Sequence, residues 1–164
     1  MLKLFILFLF IQNLSADDIA SKLYGTWQSD RDLTSKYLNK YAKLTGYQKE
    51  VLPKFFGNSV VIFDPEGIGV IKIKEVIIPK FKNHEEMIFP AVEIKFTYEI
   101  LGETESQVVI KDTSKEGVLT DIPFSIMKFE DDDTYSISIS NGVSDINGRE
   151  FFKRIKSVGS ELIK

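Results

Sequence analysis

Two short stretches decide the fold of this chain: Gly25-Thr26-Trp27 near its start and Phe151-Phe152-Lys153-Arg154 near its end. Between them, one helical insert is followed by segments in which apolar and polar residues alternate with the period of two that is typical of β-strands. A motif at each end of such a chain indicates that the first and last strands meet, as they do in a closed barrel. The sequence therefore predicts a mainly β protein, built as a single antiparallel up-and-down β-barrel.

About eight strands can be counted from this alternation, and the clearest spans residues 92–100. There Ile94, Phe96 and Tyr98 alternate with charged or hydroxyl residues. The first strand is predicted at residues 22–29, and the others are predicted at residues 60–63, 70–78, 107–111, 121–129, 135–140 and 150–155. Eight is a strand number at which a closed antiparallel barrel either fills with side chains or holds one small ligand.

A helical insert is predicted after the first strand, over residues 32–56. Its first half places one apolar face at helical spacing, formed by Leu33, Tyr37, Leu38, Tyr41 and Leu44. Asp30 or Asp32 can cap the start, and Pro53 limits the regularity of the second half. We expect the insert to cover one barrel mouth as a lid, with Tyr37 and Tyr41 as candidate ligand contacts. Alternatively, it exposes part of its aromatic face to a protein partner.

Residues 1–16 have the features of a secretory signal peptide. Lys3 precedes an apolar run at residues 4–11, and Leu14-Ser15-Ala16 offers small residues for cleavage. The run is shorter than the ~20 residues that span a bilayer, although an uncleaved anchor is the alternative. We therefore predict one barrel domain over residues 17–164 with no transmembrane anchor in the mature chain, exported to the periplasm or the extracellular space.

The composition disfavours several classes of partner and cofactor. The chain has no Cys, so its stability must come from a hydrophobic core rather than from disulfides. Its formal net charge of −3 is spread along the chain without a stripe of basic residues, which argues against nucleic acid as a partner. No glycine-rich phosphate loop occurs, so we expect no nucleotide and no other cofactor.

The sequence shows no recognisable catalytic set and no clear metal site. Its one His, His84, lies in a polar segment and is best interpreted as an exposed loop residue. The run Glu130-Asp131-Asp132-Asp133 could attract calcium, but it lacks the alternating spacing of a calcium-binding loop. It falls between two predicted strands, where a solvated hairpin tip is expected. We therefore predict that the protein is not an enzyme and binds no metal.

The pattern of residues at the two ends resembles that of the lipocalins, and more closely that of bacterial exported lipocalin-like proteins of the calycin type. The matching residues are Gly25, Trp27, Ser29-Asp30, Phe152 and Arg154. The resemblance implies that the first-strand Trp packs against the last-strand Arg and closes one end of the barrel. The resemblance concerns the fold and does not identify a ligand.

Arg154 has two interpretations on chemical grounds. A guanidinium stacked on the Trp27 ring gains ~0.5 to 2 kcal/mol, and its N–H groups can satisfy carbonyls at the barrel end. This makes Trp27 and Arg154 a structural closure of the barrel. In the alternative, Arg154 binds a ligand carboxylate inside the barrel, because Arg matches a carboxylate bidentately.

The candidate ligand site is the barrel interior. If the clearest strand faces inward with its apolar side, the interior is lined by Ile94, Phe96, Tyr98, Phe124, Tyr135 and Ile137. Such an apolar cavity with a few phenolic hydroxyls suits a small apolar molecule. The alternative is that these side chains fill the barrel and that the protein is an envelope or secreted module that binds another protein.

Overall fold

The computed structural model describes residues 19–80, 85–114, 124–139 and 147–155. The proposed signal peptide and His84 lie outside these ranges. The strands are β1 (Gly25–Ser29), β2 (Ser59–Phe63), β3 (Ile68–Ile73), β4 (Val76–Ile78), β5 (Met87–Phe89), β6 (Val92–Glu103), β7 (Gln107–Asp112), β8 (Phe124–Asp131), β9 (Thr134–Ile139) and β10 (Gly148–Arg154). The helices are α1 (Arg31–Tyr41) and α2 (Gly46–Phe55), and a 3-10 helix spans Ile19–Leu23.

Eight of these strands close into an antiparallel barrel in the order β1-β10-β9-β8-β7-β6-β3-β2. Closure occurs at β1, where Trp27 lies opposite Arg154 of β10 on one side and opposite Val61 of β2 on the other. Apart from the closing pair of β1 and β10, neighbouring barrel strands follow one another along the chain, with the β4–β5 hairpin inserted between β3 and β6, and this is the up-and-down arrangement. The predicted fold class, including the helical insert after the first strand, is confirmed.

The strand predicted at residues 70–78 is wrong, because it is two strands with different partners. β3 belongs to the barrel, whereas β4 leaves it and pairs with β5 in a separate two-stranded hairpin. The chain is exposed at Lys74 and Glu75, between the two strands. Val76 and Ile78 then bury their side chains with Val51 of α2 in a small second core.

Both helices of the insert begin at polar capping residues. Asp30 precedes α1, and its carboxylate accepts a hydrogen bond from the Leu33 N–H at 2.9 Å. Thr45 precedes α2 and forms a capping box with Gln48. These caps satisfy amide groups that have no partner within the helix, so the sequence fixes both helix starts locally.

The lower end of the barrel, defined here as the end at Gly25 and Arg154, is filled by side chains. The 3-10 helix packs against this end through Ile19, Ala20 and Leu23. The core above it is made of buried aromatic and aliphatic residues, namely Trp27, Val61, Phe63, Phe96, Tyr98, Val108, Ile110, Met127, Phe129, Tyr135 and Phe152. The opposite end, at Ser29 and Gly148, is called the upper end below.

Gly69 makes room for an aromatic ring in this core, and we expect its replacement to be destabilising. Gly69 lies opposite Phe96, and a Cβ atom there would come within 2.1 Å of the Phe96 ring. Phe63 and Tyr98 contact the same ring edge-on or tilted and restrict its movement. Gly69→Ala should therefore lower the free energy of unfolding by about 1–3 kcal/mol in urea titrations.

Gly102→Ala is the matched control for this strand glycine. A Cβ atom at Gly102 would meet no other atom within 4 Å, so we expect a change of less than about 0.5 kcal/mol. Equal losses at Gly69 and Gly102 would contradict the steric explanation.

Candidate ligand-binding site in the barrel interior

The upper part of the interior is apolar but incompletely covered. Cross-strand pairing places Ile71 opposite both the buried Val61 and Ile94, and Ile137 lies two residues beyond the buried Tyr135 on the same face of β9. Ile71, Ile94, Ile137 and Ile139 are all half-buried. We call the region around these four side chains the upper interior. Most of the inward-facing residues below them are buried, and Ile100 is the half-buried exception.

The interior residues predicted from the sequence divide into two groups. Ile94 and Ile137 line the upper interior, as expected. Phe96, Tyr98 and Tyr135 also face inward, but they are buried in the core. Tyr98 donates a hydrogen bond from its hydroxyl to the Asp64 carbonyl at 2.7 Å, and burial raises its pKa to about 12. The Tyr98 hydroxyl therefore has a structural role, because it holds the β2–β3 turn.

The prediction that Phe124 lines the interior is wrong. Its side chain is 47% exposed, whereas Met127 and Phe129 of the same strand are buried inside the barrel. Side chains along a strand alternate between its faces, so Phe124 and Phe129, five residues apart, cannot both face inward on a regular strand. Phe124 therefore lies on the outer face of β8.

Helix α1 lies against the outside of β10 rather than over a barrel mouth. The Tyr37 ring contacts Phe151 at 5.5 Å, and the Thr34 hydroxyl accepts a hydrogen bond from the Phe151 N–H at 3.0 Å. Phe151 alternates with the buried, inward-facing Phe152, so its ring is on the outer face. Tyr41 is 47% exposed. The expectation that Tyr37 and Tyr41 contact a ligand in the barrel is therefore wrong.

The contact between Trp27 and Arg154 is present, and it closes the lower end. The Arg154 guanidinium carbon lies 4.2 Å from the centre of the Trp27 ring. The guanidinium donates hydrogen bonds to the carbonyls of Tyr24, at 2.8 Å, and Lys22. Its Nε atom lies 3.5 Å from the Asp133 carboxylate. Because these partners use the guanidinium at the barrel end, the structural interpretation of Arg154 fits better than the ligand-binding one.

The acidic run forms the exposed tip of the β8–β9 hairpin, as the sequence predicts. The Asp132 side chain is 82% exposed and pairs with Lys22 at 2.6 Å. Within the described ranges, no group of three or more His, Cys, Asp or Glu side chains is placed to hold a metal ion.

The sequence reasoning missed Glu150, a carboxyl group on the inner face of the barrel. Glu150 lies opposite Ile137 in the pairing of β9 and β10. Its Oε1 atom accepts a hydrogen bond from the Ser29 hydroxyl at 2.5 Å, and that hydroxyl accepts one from the Gly57 N–H at 2.9 Å. Burial raises the pKa of Glu150 to about 7, although the Ser29 hydrogen bond acts in the opposite direction.

The spacing of β10 was the available signal for this residue. Glu150 is two and four residues before Phe152 and Arg154, which share one face of the last strand. A period of two therefore puts the carboxyl on that face as well.

Tyr135 contributes a second polar group near Glu150. Its ring stacks on Phe152 at 4.9 Å and contacts Trp27 edge-on at 4.7 Å. Burial raises the pKa of its hydroxyl well above 10, and the nearby charge of Glu150 raises it further. The apolar upper interior therefore has a carboxyl and a phenol beside it, which can orient a ligand by hydrogen bonds.

No protein-family model matches this chain, and comparison with the curated proteins found no match. The resemblance to lipocalin-like proteins therefore stays a prediction. In the part of the chain that the structure describes, no helix is both long enough and apolar enough to cross a membrane.

Proposed function

We propose that this chain is an exported lipocalin-like protein that binds a small, mainly apolar molecule in the upper interior. The observation that carries the proposal is the difference in burial along the barrel axis. The lower core is made mostly of buried side chains, with Ile100 half-buried among them, whereas Ile71, Ile94, Ile137 and Ile139 are all half-buried around the upper interior.

The physical reason is the hydrophobic effect. An apolar molecule seated among these isoleucines would remove their remaining apolar surface from water, which gains roughly 25 cal/mol for each Å² covered. Trp27, Arg154 and the 3-10 helix close the lower end. We therefore propose that the ligand enters at the upper end. Small-molecule sites of this kind are typically apolar with a few polar groups for orientation.

A second candidate is a protein-binding function, which the β4–β5 hairpin favours. Ile77 and Ile88 lie opposite each other on its outer face, and they are 51% and 58% exposed. The other face packs on α2, where Phe89 contacts Phe55 at 4.9 Å. An exposed apolar cross-strand pair of this kind is suited to contact with a protein partner.

Filling the upper interior should separate the two functions. We expect Ile137→Trp to weaken binding of the neutral fluorescent dye Prodan at least tenfold, because the larger ring occupies the space that the dye would use. The matched control is Ile126→Trp, since Ile126 lies on the outer face of β8 and is exposed. Dye titration measures the affinity, and circular dichroism checks that each variant is folded.

A third variant, Ile88→Lys, removes the apolar pair of the hairpin. If this variant loses the dye while Ile137→Trp binds it normally, the dye binds at the hairpin and the proposed site is contradicted. Ile94→Trp provides a second interior variant should Ile137→Trp fail to fold.

A further inference from the structure

Glu150 is a carboxyl group in largely apolar surroundings. It lies between the half-buried Ile137 on the neighbouring strand and the buried Phe152 two residues along its own strand. A carboxylate removed from water is costly unless a cation or hydrogen-bond donors compensate it. The cations and hydrogen-bond donors that the protein itself places at the Glu150 carboxyl therefore decide what this carboxyl can bind.

Among the described residues, the only hydrogen bond to the Glu150 carboxyl comes from the Ser29 hydroxyl. The nearby cations are engaged elsewhere. Lys153 pairs with Asp30 at 2.7 Å, and Arg149 lies on the outer face, where it donates to the Ser136 hydroxyl at 2.9 Å. Arg154 is held at the lower end by backbone carbonyls. No described Lys or Arg forms a salt bridge with Glu150.

The Tyr135 hydroxyl is the other polar group in this region, and it makes no hydrogen bond to a described residue. Every fully shielded side-chain nitrogen or oxygen atom of the described residues has a hydrogen-bond partner. Tyr135 as a whole is 1% exposed, and its phenol lies near the Glu150 carboxyl inside the barrel. A hydroxyl in this position can donate to a ligand or accept from it.

We propose that the upper interior binds a small amphipathic amine as its ammonium ion, with Glu150 as the counter-charge and Tyr135 as a second contact. The ammonium group donates to the Oε2 atom of Glu150, which accepts no hydrogen bond from a described residue, and to the Tyr135 oxygen. The apolar body of the amine packs against Ile94 and Ile137. This inference rests on the proposed function, because it names the chemical class of the ligand for the same site.

The ionisation of Glu150 makes the inference testable by pH. The groups that face its carboxyl are the Ser29 hydroxyl of β1 and the Tyr135 phenol of β9, and burial raises the pKa of the carboxyl to about 7. An alkylamine is protonated throughout the range from pH 5.5 to pH 8. If it binds only the carboxylate, its affinity should rise roughly 10- to 30-fold over this range as Glu150 ionises.

The test compares three probes of similar shape, 2-phenylethylamine, 2-phenylethanol and 3-phenylpropionate, by displacement of Prodan at pH 5.5 and pH 8. At pH 8 we expect the amine to bind at least tenfold more tightly than the alcohol, and the carboxylate to bind most weakly. Glu150→Gln should remove this preference and the pH dependence of the amine. Glu99→Gln is the matched control, because Glu99 is an exposed residue paired with Lys111.

Tyr135→Phe is a second variant that retains the ring and should weaken amine binding about threefold. If the alcohol binds as well as the amine and Glu150→Gln changes neither affinity, the amine inference is overturned while the proposed function stands. If no probe displaces the dye from the unmodified protein, the inference is also overturned. Normal dye binding by Ile137→Trp contradicts the proposed function as well.

Discussion

Trp27→Ala is expected to lower the free energy of unfolding by about 3–5 kcal/mol, which is the usual cost of removing a large aromatic side chain from a core. Trp27 is fully buried, and its indole N–H donates to the Leu23 carbonyl at 2.8 Å. Its ring also contacts Arg154 and Tyr135. The substitution therefore leaves a cavity, removes a hydrogen bond that ties the 3-10 helix to β1, and deprives the guanidinium of its stacking partner.

The loss can be measured by urea unfolding followed by circular dichroism, because Trp27 is the only Trp of the chain and its fluorescence disappears with the substitution. Phe124→Ala is the control, since it also removes an aromatic ring but from an exposed position on the outer face. We expect less than about 1 kcal/mol for that variant. A similar loss in both variants would contradict the role of Trp27 in closing the barrel.

The alternation of apolar and polar residues predicted the barrel well where only one face of a strand is apolar. β6 is the clearest case, since Phe96 and Tyr98 are buried and their neighbours Lys95, Thr97 and Glu99 are exposed. The two end motifs also predicted the correct pairing, with Trp27 directly opposite Arg154. These features depend on local sequence and on the rule that the apolar face of a strand turns toward the core, so they can be predicted without the structure.

The orientation of β8 could not be predicted in the same way. Phe124 and Ile126 lie on one face of the strand, and Met127 and Phe129 lie on the other. Both faces therefore carry apolar residues. Which face turns inward is decided by the neighbouring strands, where Val108 of β7 pairs with Met127. The period of two was therefore visible in the sequence, but its phase was not.

The break between β3 and β4 depends in the same way on tertiary contacts. Residues 76–78 are as β-compatible as the strand before them. They leave the barrel because they pair with β5 and cover Val51 of α2. Such a choice between two partners has no signature in the local sequence.

The candidate site contains one polar residue that the sequence predicted and one that it did not. Tyr135 was expected in the interior, whereas Glu150 was not considered. The Tyr135 ring is held by Phe152, which lies opposite it on β10, and by Trp27, while its hydroxyl lies near Glu150. The closure of the lower end therefore also positions the polar groups beside the upper interior, which gives the Trp27–Arg154 contact an indirect role in the ligand binding that we propose.

The stability of the unmodified protein should fall by about 3 kcal/mol between pH 4.5 and pH 7, relative to Glu150→Gln, with each pKa unit of difference contributing about 1.4 kcal/mol. Burial raises the pKa of Glu150 from 4.5 to about 7 in the folded state. In this window the folded state holds the proton more tightly than the unfolded state. The stabilisation is therefore complete below pH 4.5 and is lost as the pH rises through 7.

Urea unfolding of both proteins at pH 4.5, 5.5, 6.5 and 7.5 measures this difference, with Glu99→Gln as the control for an exposed Glu. Burial acts to raise the pKa of Asp30, but its contacts, chiefly with Lys153, hold it below 3.8, and Lys22 holds the pKa of Asp132 below 3.8. These two carboxylates therefore change stability in the direction opposite to Glu150, and mainly below pH 4. If Glu150→Gln and the unmodified protein lose stability in parallel, the pKa of Glu150 is not raised by burial, and the pH dependence predicted for amine binding between pH 5.5 and pH 8 would be absent as well.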